Sequence, residues 1–277
     1  GNSPAFGTTT GLAGGVDLLF SDIIGNNQLF SSLSLNGEIT DLGGTVAYIN
    51  RNSRINWGGA LSHTPFRSIQ GGYLGVDTLF FGDDAFRLAD RYLFDVTRIF
   101  EDKATLFAQY PFSTTLRLEA GASFSRYSFR VDRLDNYYDA FGNLIAQDRQ
   151  KLDNAPPAFN LGNVQLALVA DNANFGLTAP LSGHRYRFGV EQFFGEFNYT
   201  AATADYRIYR YYKPVGLAFR AFHYGRYGGN SEGLFPLYAG SPWYLRGLNS
   251  AAAQDIFVQN GRSFNDLLGS KLLVTNF

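Results

Sequence analysis

Alternation of apolar and polar residues with a period of two runs through this 277-residue chain from end to end, and no period of 3.6 is sustained. A segment patterned in this way buries one face and wets the other, which describes a strand and not a helix. In the clearest case Leu116, Leu118, Ala120, Ala122 and Phe124 face Arg117, Glu119, Gly121, Ser123 and Ser125 across one backbone. No run approaches the roughly 18 apolar residues of a membrane helix, so closed strands alone can carry this chain across a bilayer.

Read in chain order, the pattern predicts strands at Leu12–Ser21, Leu29–Leu35, Val46–Arg51 and Ile55–Leu61, with a turn at Ile24–Asn27. Thr64–Ala89, which contains Pro65, Gly71-Gly72 and Asp83-Asp84, reads as irregular. Strands resume at Arg91–Thr97, Ala104–Tyr110 and Leu116–Ser125. Asp132–Ala158 reads as a long loop with its own hairpin at Phe141-Gly142-Asn143. Val164–Asp171, Tyr186–Phe194, Ala202–Ile208 and Val215–Phe222 follow, so that eleven strands precede a long segment at about 228–268. Short turns and longer loops alternate, as in an antiparallel up-and-down barrel. With the N-terminus on the periplasmic side, the Pro111, Pro180 and Pro214 turns fall there too, and the loops near Asn136 and Gly229 fall outside.

Composition suits a transmembrane barrel and leaves a soluble sandwich with a Tyr-rich surface as the alternative; alternation through ten or more strands with no helix, and aromatic residues near strand ends, favours the barrel. Aromatic residues make up 16% of the chain and glycine contributes 31 residues, a profile suited to interfacial aromatic girdles and crowded interior positions. Arg117, Glu119, Arg187, Glu191, Asp205, Arg207 and Arg220 all fall opposite the lipid-like residues. A charge on the lipid face near midplane costs about 2–4 kcal/mol, so their parity predicts a polar, hydrated lumen.

The segment from Tyr227 to about Leu268 is too long for a hairpin connection. Its Leu234, Phe235, Leu237, Tyr238, Trp243 and Tyr244 are costly to leave in water, which predicts that it folds back into the barrel. Leu245-Arg246-Gly247-Leu248 lies within it, and Gly269-Ser270-Lys271-Leu272-Leu273-Val274 follows. This pair of segments resembles the BamA-like outer-membrane assembly and translocation barrels, the bacterial surface antigen family. Asp171-Asn172, Pro180, Ser182-Gly183 and Arg185-Tyr186 resemble that family's strand end and turn. The resemblance covers roughly Asp171 to the end, the first half matching in pattern only, and Leu248 stands where the family usually has an aromatic residue.

The resemblance implies a parent barrel of sixteen strands, of which residues 1–277 supply about the first eleven or twelve, as a fragment of a longer protein. It implies location in the bacterial outer membrane and a role in inserting or translocating other polypeptides, without cofactor or metal. Its partners are then the lipid bilayer, client outer-membrane or secreted polypeptides, and accessory subunits. Arg246 becomes a lumen-inserted guanidinium whose planar fork grips carboxylates. The first strand, with Gly11, Gly14 and Gly15, becomes one edge of a weak seam. A passive pore plugged by the long loop is the alternative.

Other chemistry lacks its components. The three histidines, His63, His184 and His223, stand apart from any recognisable nucleophile and acid, so the chain does not read as an enzyme. Cysteine is absent, which removes disulfides and thiolate chemistry. A net charge of −1 offers no basic field for nucleic acid. Asn136–Asp139 and Asn143 lack calcium-ligand spacing, and Gly11–Gly15 lies in a strand pattern instead of opening a helix.

Overall fold

A computed structural model of the protein describes residues 12–80, 86–177, 179–234, 236–239, 244 and 264–277. The strands are β1 (Leu12–Ser21), β2 (Asn27–Gly37), β3 (Leu42–Asn50), β4 (Asn56–Phe80) and β5 (Phe86–Pro111). They continue as β6 (Leu116–Tyr138), β7 (Leu144–Leu152), β8 (Phe159–Asp171), β9 (Asn174–Phe175) and β10 (Pro180–Gly195). The last are β11 (Tyr199–Tyr212), β12 (Val215–Tyr227), β13 (Leu237–Tyr238), β14 (Leu268–Gly269) and β15 (Lys271–Asn276). No α-helix occurs among the described residues.

The fold is an all-β, antiparallel, up-and-down sheet whose path runs β1-β2-β3-β4-β5-β6-β8-β10-β11-β12-β15. Strand β7 pairs with β6, β9 pairs with β10, and β13 with β14 forms a separate two-stranded unit. Register is uninterrupted over most of the path: Leu12 faces Gly37, Arg117 faces Val169, and Arg187 faces Asp205. A one-residue slip would exchange the two faces of a strand, so the alternation read from sequence holds this register.

Three expectations need correction. Thr64–Ala89 is not irregular among its described residues, because β4 runs through Pro65 and Gly71-Gly72 to Phe80 and pairs with β5 as far as Phe86. Strand β3 pairs with β4 only as far as His63, so β4 is an edge strand from Pro65 onward, where proline is tolerated. A bulge between Tyr73 and Gly75, with Gly75 at φ 127°, absorbs the glycine-rich stretch. The strands expected at Arg91–Thr97 and Ala104–Tyr110 are one strand of 26 residues. Most of the expected loop at Asp132–Ala158 is likewise strand: β6 reaches Tyr138 and β7 returns from Leu144, with the predicted hairpin turn between them.

Fusing two expected strands changes the parity of the chain. Ten strands of the main path, not eleven, precede the segment after Tyr227, and β15 is the eleventh. The connections at 22–26, 51–55, 112–115, 172–179 and 213–214 all lie at one end, so the Pro111, Pro180 and Pro214 turns do fall together. The β6–β7 hairpin and Gly228-Gly229 lie at the opposite end, as expected. Leu12 also lies at that opposite end, beside Gly37, and not with the proline turns.

Strands β1, β2 and β3 are 9–11 residues long, the length that crosses a hydrocarbon layer. Strands β4, β5 and β6, of 23–26 residues, continue far past them. Together with β7 they make a four-stranded projection beyond the long-loop end, in which β4 and β5 reach roughly 50 Å and β6 and β7 roughly 35 Å, at about 3.3 Å per residue.

Candidate functional site

The two faces of the sheet differ in chemistry. Val16, Leu18, Phe20, Leu29, Leu33, Val46, Leu61, Leu106, Phe124, Val164, Val190 and Leu273 share one face by register and are all exposed. Leu61 and Leu106 retain 66% and 67% of their surface. With exposed members on nine strands of the main path, this apolar band far exceeds the patches of a few hundred Å² that soluble monomers leave bare.

The opposite face is polar and carries the predicted charges. Glu119 accepts hydrogen bonds from Arg117 Nε at 2.7 Å and from Arg187, which reaches it across the intervening β8. Asp205 is held by Arg207 at 2.7 Å and by both Nε and Nη2 of Arg220, at 3.0 and 2.9 Å. Six of the seven predicted charges are thus brought together in two ionic knots on neighbouring strands. Glu191 shares their face, opposite Gln165 and Ala201, outside both knots.

Arg185 was not among those seven charges. It pairs with Asp171 at 2.9 Å and extends the polar wall toward the short-turn end. Its parity with Arg187, two residues on, was the signal that could have found it. Gly183 makes the approach to this pair, with φ 102° and no room for a Cβ, which would stand 2.4 Å from the Asn172 carbonyl oxygen. The Asn172 side chain accepts the His184 N–H at 2.7 Å beside it.

The loop motif Leu245, Arg246, Gly247 and Leu248 lies outside the described residues, as does Gly11. Tyr244, immediately before the motif, stacks on Phe222 with ring centroids 5.3 Å apart and 22° between planes. Its carbonyl accepts a hydrogen bond from the Asn276 side chain at 3.2 Å. Phe222 and Asn276 both belong to the polar face by register, so Tyr244 lies on the same side as the ionic knots. The β13–β14 pair and a bond from Ala239 N–H to the Leu267 carbonyl tie the two described legs of the loop together.

Strand β1 is an edge of the described sheet and β15 is the other. Gly14 faces open space, whereas a Cβ on Gly15 would stand 3.1 Å from the Leu33 carbonyl oxygen. Of these two, Gly15 is the closely packed one, where a Cβ would need the neighbouring backbone to give by a few tenths of an ångström.

A second charged cluster, not predicted, lies where the projecting sheet leaves the band. Arg98, 1% exposed, donates to Asp41 at 2.8 Å, to Glu38 at 3.0 Å and to Asp132, itself 1% exposed. Arg149 and Arg130 also hold Asp132, at 3.2 and 3.0 Å. The signal was present in Arg126, Arg130 and Asp132, where a strand parity that is apolar up to Phe124 becomes charged. His63, expected near a strand end, lies mid-strand in β4, 2.6 Å from Asp102. No group of metal-binding side chains occurs among the described residues.

No family model, curated protein or solved structure matches the chain.

Proposed function

We propose that this chain forms much of the wall of a bacterial outer-membrane β-barrel that inserts or translocates other polypeptides. The observation that carries the reading is the joint placement of an exposed apolar band on one face and Tyr244, with the ionic knots, on the other. An apolar band facing lipid and a charged face on water is the arrangement that a spanning barrel requires. Tyr244, stacked on Phe222, sets one point of the long segment on the water side, where a lumen-facing loop would lie. The resemblance at Leu245-Arg246-Gly247 adds the polypeptide-handling role. The short-turn end is then periplasmic and the projecting sheet stands outside the cell.

Depletion of the full-length protein in its own cells tests this. Loss of folded outer-membrane or secreted polypeptides, before any loss of small-solute uptake, supports insertion or translocation. Normal levels of those polypeptides with reduced solute uptake would replace it with the passive pore.

A further inference from the structure

Three arginines stand side by side on the polar face. Arg185 on β10 is the register partner of Arg207 on β11, and Arg207 is the partner of Arg220 on β12. Side chains directly opposite one another in an antiparallel pair have Cβ atoms about 5 Å apart, and like charges there destabilise the sheet. Asp171 closes the row at one end, opposite Arg185. In the adjoining register row Arg187 faces Asp205, and Arg117 lies one strand further on, beyond Val169.

The acids are shared out among these cations. Glu119 serves Arg117 and Arg187, Asp205 serves Arg207 and Arg220, and Asp171 serves Arg185. Among the described residues, three carboxylates therefore serve five guanidiniums on this part of the wall, and Arg220 has a further interaction besides Asp205. Asp17, Glu101 and Glu191, also on the polar face, lie on β1 or further toward the long-loop end. Arg117, Arg185, Arg187 and Arg207 remain about two-fifths exposed, so their unused N–H donors are open to solvent. They border a cavity of about 250 Å³ with Asp171 and Asp205. That volume holds on the order of eight waters, or a hydrated small anion.

We propose that this arginine row is an anion-binding step in the lumen, which makes the pore conduct anions in preference to cations and retain multivalent inorganic oxyanions. Planar guanidinium forks match the oxygens of such anions, and rings of arginine select for anions in pores. The cost of placing like charges opposite one another is offset when an anion lies between them. This deepens the barrel reading above and rests on it.

The test uses the purified full-length protein in planar bilayers under a potassium chloride gradient. The expected reversal potential has the sign of chloride preference, and millimolar inorganic pyrophosphate lowers the chloride current by about twofold or more. Arg185→Gln with Arg207→Gln brings the permeability ratio close to one, Arg207→Lys preserves the preference, and Arg126→Gln on the apolar-parity face leaves it unchanged. A preference for potassium, or a chloride preference that survives the double substitution, overturns the proposal. If the double variant does not assemble, the wild-type reversal potential and the pyrophosphate titration decide alone. Absence of conductance together with absence from the outer-membrane fraction would overturn the barrel reading as well, whereas a conducting, cation-selective protein overturns only the anion site.

Discussion

Tyr244 lies flat against Phe222, with ring centroids 5.3 Å apart, and so ties the loop that carries Arg246 to the polar wall of β12. A stacked aromatic pair adds about 0.5–1.5 kcal/mol beyond its buried area. Tyr244→Ala is therefore expected to raise the released population of the loop about 2- to 12-fold by that contact alone. Protease added outside intact cells measures this as faster cleavage within 228–268, and an unchanged rate would show that other contacts hold the loop. Cysteines at Tyr244 and Phe222 should cross-link in the folded full-length protein.

The strand faces were legible because alternation dominates the shorter strands, as in Leu116–Ser125, despite exceptions such as Leu19 and Val169 on the polar face. The projecting sheet was not legible, for a physical reason. Beyond Phe124 and Leu61 the strands leave the band, and the parity that was apolar takes on Arg126, Arg130, Asp132 and Arg67. Alternation fades there, while Pro65 and Gly71-Gly72 imitate a loop. The ionic knots were legible as parity but not as partners, since Arg187 bridges to a strand two positions away. Pairing over that distance depends on the curvature of the sheet and the rotamer of the arginine, and residue spacing encodes neither.

Arg98 provides the sharpest test of the projecting sheet. Its guanidinium joins Glu38 and Asp41, on the β2–β3 connection, to Asp132 on β6. Removing one partner of a buried ion cluster strands the others and costs about 3–5 kcal/mol. Arg98→Gln is expected to open the segments 65–100 and 128–152 to external trypsin while the short strands stay protected. Cleavage spread evenly over the chain would instead make Arg98 a determinant of the whole fold.

Acid should loosen the same junction. Burial acts to raise the Asp132 carboxyl, but hydrogen bonds from Arg130 and Arg149 outweigh it and hold the group below the ordinary carboxylate range. The hydrogen bond from Arg133 likewise lowers Asp95 in the projecting sheet. A carboxyl depressed in the folded state stabilises that state above its unfolded pKa of about 4, and the contribution is lost as pH falls through the depressed value. Hydrogen-exchange protection of β6 and β7, corrected for intrinsic rates, is expected to stay level from neutral pH to about 5 and to decline below about 4. Asp132→Asn should lower protection at neutral pH and flatten the profile; a wild-type slope in that variant would assign the titration to other acids.

The apolar band makes a prediction that separates a membrane wall from a soluble sheet. Leu106 and Thr105 are neighbours on β5, with Leu106 on the exposed apolar face and Thr105 on the polar one. If the band faces lipid, Leu106→Arg places a guanidinium near midplane at a cost of about 2–4 kcal/mol, while Thr105→Arg points into water and costs far less. In a soluble sheet the order reverses, because an exposed Leu106 already faces water and arginine there is harmless. Heat-modifiable migration of the two full-length variants from outer-membrane fractions measures folded protein in each case. Less folded Leu106→Arg than Thr105→Arg is the expected outcome, and the opposite order would remove the membrane from this account of the fold.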